Sequence, residues 1–212
     1  MKIYSYRIEH DFGLAPNPFG QYCTLVVCKP RIRKSKNLEL GDWVIGTGSK
    51  ALVNSTGFEC STKLIYAMRV TEKLTMQEYW EDIRFQHKRP MMKGTLITMF
   101  GDNFYHKDGD DNWIQEDSAH SNKDGTCNIN HRNKDISGKN AIISDSFYYF
   151  GDNAIQIPES LNEVCHTTQG RKIVRPPELA IDFLNWLQNN FKQGLQGKPI
   201  SWLIYNKLGM EK

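Results

Sequence analysis

Hydrophobic and polar positions change period several times along the chain, and each change marks an element. Residues 2–8 alternate, with Tyr4, Tyr6 and Ile8 on one face, which predicts a strand. Residues 11–20, DFGLAPNPFG, hold two prolines and two glycines and read as an irregular loop. Residues 21–28, QYCTLVVC, are apolar and β-branched, the pattern of a buried strand. Residues 29–37, KPRIRKSKN, read as a basic loop. Gly41-Asp42 turns into a strand beginning at Trp43, followed by a small-residue turn, TGSK. Residues 63–71, KLIYAMRVT, form the clearest strand. Thr75 with Glu78 makes a capping box, so a short helix runs to about Phe85, and residues 86–98 lack a pattern. Residues 102–106 and 113–115 flank the turn KDGDD and predict a hairpin. The polar stretch 117–140 reads as a long loop, a kind usually functional or mobile. Residues 141–150 return to strand. Pro176-Pro177 opens a helix with Leu179, Phe183, Leu187 and Phe191 at spacing four, stopped by Gly194.

These elements predict an α+β fold with a mostly β core, a few short helices and a C-terminal helix. Residues 1–155 would form the main domain. Residues 156–212 would be a helical appendage packed on it. A chain of 212 residues buries roughly 70% of its unfolded surface, so it needs no staple to fold. With 39% hydrophobic and 24% charged residues, disorder is excluded. No stretch approaches the roughly 20 apolar residues of a membrane span. The N-terminus, MKIYSYRIEHD, lacks the apolar run of a signal peptide. The five cysteines include no CxxC pair, which argues against a disulfide framework or zinc ribbon. The expectation is a reduced, cytoplasmic protein without metal or cofactor, away from the membrane, its oligomeric state open.

A net charge of +3 is too small to announce nucleic-acid binding, so the clustering of charge matters more. Lys29, Arg31, Arg33, Lys34 and Lys36 place five cations in eight positions, as phosphate contacts require. Arg84, Lys88 and Arg89, with His87 among them, make a second cluster, and Lys50 is a further phosphate candidate. Phe19, Tyr22, Trp43, Tyr105 and Tyr148 are candidates to stack on a flipped base. Asn17, fixed between two prolines, offers an amide that reads a base edge with donor and acceptor. For acid–base chemistry the candidates are Asp102 after Gly101, Asp145 in ISDSF, and His120 in SAHS. A carboxylate could steady the charge developed on a sugar as its N-glycosidic bond breaks, while Asn17 or His120 donates to the departing base. GTGSK is not a phosphate-binding Walker loop, and no GxGxxG, HExxH or GxSxG occurs. His106, His120 and His131 lack metal-ligand spacing.

Two resemblances follow from longer blocks. The Gly41-Asp42 turn, the strand from Trp43 and LIYAMRVTE at 64–72 resemble PUA-like barrels, which include EVE, ASCH and YTH domains. More closely, APNPFG at 15–20, YCTLVVCKP at 22–30, GDWVIGTGS at 41–49 and LIYAMRVTE at 64–72 stand in one order with EYWED-x-RF, GDNFYH and ISDSFYYFG. Together they resemble the nucleotide modification associated domain 2 family over roughly residues 1–155. The resemblance implies a DNA-base context in bacterial and phage systems that make, or respond to, hypermodified bases. With the PUA-like resemblance it implies a small barrel over residues 1–155 that binds DNA and modified bases. The expected function is a DNA glycosylase that flips the modified base and cleaves its N-glycosidic bond in phage defence; the alternatives are a reader that only binds the base and an accessory enzyme of the modification pathway.

Overall fold

The computed structural model describes residues 1–168 and 170–209. In chain order the strands are β1 (Ile3–Ile8), β2 (Cys23–Leu25), β3 (Trp43–Gly48), β4 (Leu64–Arg69), β5 (Glu72–Thr75), β6 (Tyr105–Lys107), β7 (Trp113–Gln115), β8 (Asn140–Ser144), β9 (Phe147–Tyr149), β10 (Arg171–Ile173) and β11 (Gly194–Leu195). The helices are α1 (Pro30–Arg33), α2 (Lys50–Thr56), α3 (Met76–Glu81), α4 (Leu96–Met99), α5 (Ile129–Ile136), α6 (Pro177–Asn190) and α7 (Trp202–Gly209). The chain divides into two compact units. The first comprises residues 1–12, 39–70 and 145–212, the second residues 13–38 and 71–144.

The first unit is a six-stranded sheet in the order β10-β1-β3-β4-β9-β11. β1 and β3 run parallel, and β3, β4 and β9 alternate in direction. Central strands are covered on both faces, so the alternation in β1 does not mark an open face: Ile3, Tyr4, Ser5 and Tyr6 are all buried. Gly46 lets the sheet close around its tyrosines, because a Cβ there would stand 2.4 Å from Cε1 of Tyr66. That ring in turn donates its hydroxyl proton to Tyr6 at 2.7 Å. On the other face α6 lays Ala180, Phe183, Leu184 and Leu187 against Ile3, Trp43, Ile45, Ala67, Tyr148 and Phe150. Each large side chain so buried contributes about 1.5–3 kcal/mol. Residues 156–212 thus supply two edge strands and a covering helix to this sheet.

The second unit holds an antiparallel sheet, β2-β8-β5, and the hairpin β6-β7. α3 packs against β5, β6 and β8. Thr75 and Glu78 make the expected reciprocal cap at its start. The α+β mixture and the C-terminal helices are as the sequence predicts; the barrel is not. Each sheet is open, ending on edge strands, and the apolar run 141–150 is two strands that belong to different sheets, separated at Asp145-Ser146. Among the described residues, no helix is long and apolar enough to cross a membrane.

Candidate functional site

In the second unit the chain leaves β2 through the buried Val26 and Val27, then turns left-handed at two successive residues, Cys28 (φ 55°) and Lys29 (φ 41°). Pro30, with its fixed φ, opens α1 immediately afterwards. Left-handed conformations at non-glycine residues cost on the order of 1–3 kcal/mol and persist only where the surroundings hold them. Here they do. The Cys28 amide donates to Oδ1 of Asp135 at 2.7 Å, and the Cys28 carbonyl accepts from Nε of Arg33 at 2.7 Å. Arg33 is completely buried and also donates to the carbonyls of Asn140, at 3.0 Å, and Asp135. Burial lowers its pKa to about 10, with the charge of Asp135 opposing the fall, so it stays a cation at neutral pH.

The side chain presented by this elbow is a thiol with an ordered partner chain. Sγ of Cys28 lies 3.7 Å from Nε2 of His120. Nδ1 of the same ring lies 2.7 Å from Oδ2 of Asp135, which also accepts from the Tyr105 hydroxyl at 3.1 Å. Asp135 stands in the last turn of α5, whose start is capped by the Asn128 side chain accepting from the His131 amide. Burial alone would lower the His120 pKa. The hydrogen bonds to Asp135 and Cys28 overcome it and lift the group to about 10. For Asp135 burial works upward, but the hydrogen bond and charge of His120 hold the carboxyl below its ordinary range. Burial and the Asp135 charge keep the Tyr105 phenol protonated as a donor. The order thiol, imidazole, carboxylate is that of nucleophile, general base and orienting group. Burial pushes the thiol of Cys23 up to about 12, and those of Cys60 and Cys165 to about 11.

The donor atoms of Cys28, His120 and Asp135 all lie within 4.8 Å of one another, close enough for one cation. The hydrogen bonding fits a proton relay better. Both Asp135 oxygens already accept hydrogen bonds, and the imidazole spends Nδ1 on the carboxylate while turning Nε2 to the thiol. A metal would have to displace those partners.

A second polar cluster in this unit is sealed. Nζ of Lys88 lies 2.9–3.0 Å from the Asn17 carbonyl and side-chain oxygen, the Tyr22 carbonyl and Oγ1 of Thr24. Thr24 donates to Oδ2 of Asp102 at 2.6 Å, and Tyr79 to Oδ1 at 2.8 Å. Asp102 and Thr24 are 0% exposed, Asn17 1% and Lys88 2%. Burial raises the Asp102 pKa against the pull of Lys88, and lowers that of Lys88 against Asp102. The structure therefore joins Asp102 and Asn17, but as a closed network without an open face for a substrate. The Asn17 amide also donates to the Phe100 carbonyl.

The remaining sequence candidates scatter. Asp145 is exposed in the bend between β8 and β9, in the first unit. Trp43 and Tyr148 are core residues of that unit, ring centroids 6.3 Å apart, 3% and 2% exposed, so they offer no face to a base. Lys50 is exposed at the start of α2. In the second unit Phe19 is buried, and half-buried Tyr22 meets Phe85 edge-on under the Arg84 guanidinium. Tyr105 is buried with its hydroxyl on Asp135 rather than facing a base. Arg33 and Lys88 are buried, which removes them as phosphate contacts, and Arg84 is held in a fork by Glu72 and by Asp82. Arg89 stacks at 3.5 Å over Trp80. Arg31, Lys34 and Lys36 are exposed and Lys29 is half-buried, all beside Cys28 in sequence. Of the catalytic candidates only His120 falls in the triad. Cys28 and Asp135 escape the sequence analysis. A cysteine ending a buried strand just before Lys-Pro is the one signal that pointed to the first.

Neither the curated proteins nor the solved structures hold a significant match to the chain. The family model of the nucleotide modification associated domain 2 matches residues 1–206. That span takes in the six-stranded sheet, the elbow, α5 and α6, well beyond the blocks recognisable by eye. The chain belongs to the nucleotide modification associated domain 2 family.

Proposed function

We propose that this protein is an enzyme acting on nucleotides that carry modified bases, and that its chemistry runs through the Cys28 thiol. The observation that supports the reading is the alignment of Cys28, His120 and Asp135 at 3.7 and 2.7 Å on a left-handed elbow. In this reading the thiol proton rests on His120, whose imidazolium is held in place by Asp135, and the thiolate paired with it attacks an electrophilic atom of the substrate. Tyr105 and the Cys28 amide hold Asp135 in turn. Family membership supplies the substrate context; the triad supplies the reaction type. Release of a base by Asp102 is not carried forward, because its carboxylate is fully buried and both oxygens are occupied. The place for nucleic acid is the exposed basic stretch that adjoins the elbow.

The test compares wild type with Cys28→Ala and Cys28→Ser on hypermodified phage DNA and on its constituent deoxynucleotides, with products read by liquid chromatography and mass spectrometry. A change in the mass of the modified nucleoside is expected with wild type and absent with Cys28→Ala. Loss of a nucleophile of this kind costs at least about 10³ in rate. Equal turnover by Cys28→Ala would remove the thiol from the chemistry. Retention of modified DNA by all three proteins with no product from any would instead favour a reader.

A further inference from the structure

The thiol sits in a distinctive charge environment. The nucleophile and its orienting acid lie on two short segments that pack together, residues 28–34 and α5. Residues 29–34, KPRIRK, contain no acidic residue, and in residues 128–135, NINHRNKD, the one acid is Asp135 itself. Arg33 turns inward and is spent on backbone carbonyls. Arg31, Lys34 and Lys134 are exposed, and Lys29 is half-buried next to Cys28. His131, exposed, stands edge-on to the His120 ring with centroids 4.7 Å apart. Burial and then the charge of His120 lower its pKa, so near neutrality it presents an uncharged ring with one donor and one acceptor. The site thus offers a point of nucleophilic attack, a neutral hydrogen-bonding ring and exposed cations on residues 29–34 and α5, while the loop that carries His120 adds the exposed acids Glu116 and Asp117. An anion with an electrophilic carbon a short distance away matches all three.

The relay narrows the electrophile. A base that lies between a thiol and a carboxylate takes a proton from sulfur and can give it to a second atom. Acyl transfer needs that second delivery, because an amine or alkoxide departs poorly until protonated. Addition of a thiolate to a ring carbon of a pyrimidine does not: the sulfur leaves again by elimination, and no amine departs.

We infer that the Cys28 site takes a phosphate-bearing nucleotide, free or within DNA, whose base carries an acyl group in amide or ester linkage, and that this acyl group passes to the Cys28 sulfur and then to water. This rests on the thiol reading above and adds the substrate class. The proton of Cys28 already rests on Nε2 of His120, as a thiolate–imidazolium pair, and the sulfur bonds to the acyl carbon. The tetrahedral adduct collapses, the bond from acyl carbon to nitrogen or oxygen breaks, and His120 protonates the departing atom. Water then loses a proton to His120 and attacks the thioester; the carbon–sulfur bond breaks, and the thiolate–imidazolium pair is restored. Amide plus water becomes carboxylic acid plus amine, with no oxidant or reductant needed. Arg31, Lys34 and Lys134 hold the phosphate.

The experiment has two arms. The first uses p-nitrophenyl acetate and iodoacetamide, which report the nucleophile without any nucleotide. Both should modify Cys28, and His120→Ala should slow the modification by about 10² or more. If neither reagent reaches Cys28 faster than it reaches free cysteine, or if His120→Ala changes nothing, the thiol reading itself falls. The second arm uses acetyl and glycyl amides and esters on the base of deoxynucleosides, of the matching 5′-monophosphates, and of a short DNA carrying one such base. Intact-mass spectrometry of a rapidly acid-quenched reaction should find the acyl group alone on Cys28. The monophosphate or DNA should exceed the nucleoside in kcat/KM by about tenfold or more, a preference that Arg31→Glu with Lys34→Glu erases and that weakens with salt. A live thiol in the first arm with no acyl-enzyme from any member of this panel overturns the substrate class while leaving the nucleophile. So does an adduct bearing the whole nucleotide, the mark of ring addition. Equal rates with and without phosphate overturn the anion part. Circular dichroism melts of each variant separate these losses from unfolding.

Discussion

Asp135→Asn is the most informative single perturbation of the relay, because it removes the charge and the acceptor facing His120 and Tyr105 while sparing the tie to the Cys28 amide. The amide keeps an oxygen for the Cys28 N–H, so the elbow is still tied down. What is lost is the anion 2.7 Å from Nδ1 of His120 and 3.1 Å from the Tyr105 hydroxyl. His120 moves from an ordinary 6.5 to about 10 in the folded protein. At about 1.4 kcal/mol per unit that displacement is worth at most about 5 kcal/mol. Removal of one partner from a buried ion pair independently costs about 3–5 kcal/mol. The sign of the pH dependence follows from the direction of the shift. A folded pKa above the unfolded one means that stability is fully present below pH 6.5 and is lost as pH rises through about 10. Wild type should therefore lose stability between pH 6.5 and 10, at a slope of up to about 1.4 kcal/mol per pH unit. The proton that leaves is shared with Cys28, whose sulfur faces Nε2. In Asp135→Asn the largest upward influence on the ring is gone and only the Cys28 contact opposes burial, so the His120 pKa falls and the slope shrinks. Urea unfolding at pH 6.5, 7.5, 8.5 and 9.5, with nitrogen-15 imidazole spectra to place the proton, measures this directly. A stability difference between the two proteins that stays constant across that range would refute the ion pair, and with it the activation of Cys28 by His120.

Asp102→Asn should destabilise the protein by about 3–5 kcal/mol, because it leaves buried Lys88 without its counter-charge; Lys88→Met with Asp102→Leu should cost less than Asp102→Asn alone, as a thermal-melt cycle would read. Gly138→Ala places a Cβ 2.3 Å from Cζ of Arg33, so it should cost about 1–3 kcal/mol and slow iodoacetamide labelling of Cys28 by loosening the elbow; unchanged labelling would sever Arg33 from the positioning of the thiol. Exhaustive EDTA dialysis should leave Cys28 labelling and turnover unaltered, whereas activity lost on chelation and restored by zinc would assign the same three side chains to a metal.

The parts of this molecule that the sequence reveals are those where one strong local rule governs. The strands β1, β3 and β4, the capping box at Thr75 and the long amphipathic helix α6 each carry such a rule, and each stands where the pattern puts it. Openness of the sheets was not legible, because the strand pairing that leaves β10 and β11 at the edges is set by contacts distant in sequence. Nor were the two sheets legible within residues 141–150: both halves are apolar and buried, and a polar break at Asp145-Ser146 does not say that the chain passes there from one sheet to another. The Cys28–His120–Asp135 cluster was hidden for a more instructive reason. α5 has little apolar content, since among the residues of INHRNKDI only Asp135 is buried, and it is ordered by what that residue and the backbone around it give to Arg33, His120 and the Cys28 amide. A helix held by polar contacts reads as a loop from sequence. Charge counting failed in the same place. Arg33 and Lys88 sit in basic runs that look like phosphate contacts, yet both point inward, where carbonyls and a buried carboxylate hold them. Such inward cations form a frame that fixes backbone, while their neighbours Arg31 and Lys34 are exposed. The left-handed Cys28 is where the two roles meet: Arg33 on its carbonyl and Asp135 on its amide hold a conformation the residue would not otherwise keep, and that conformation aims its sulfur at His120.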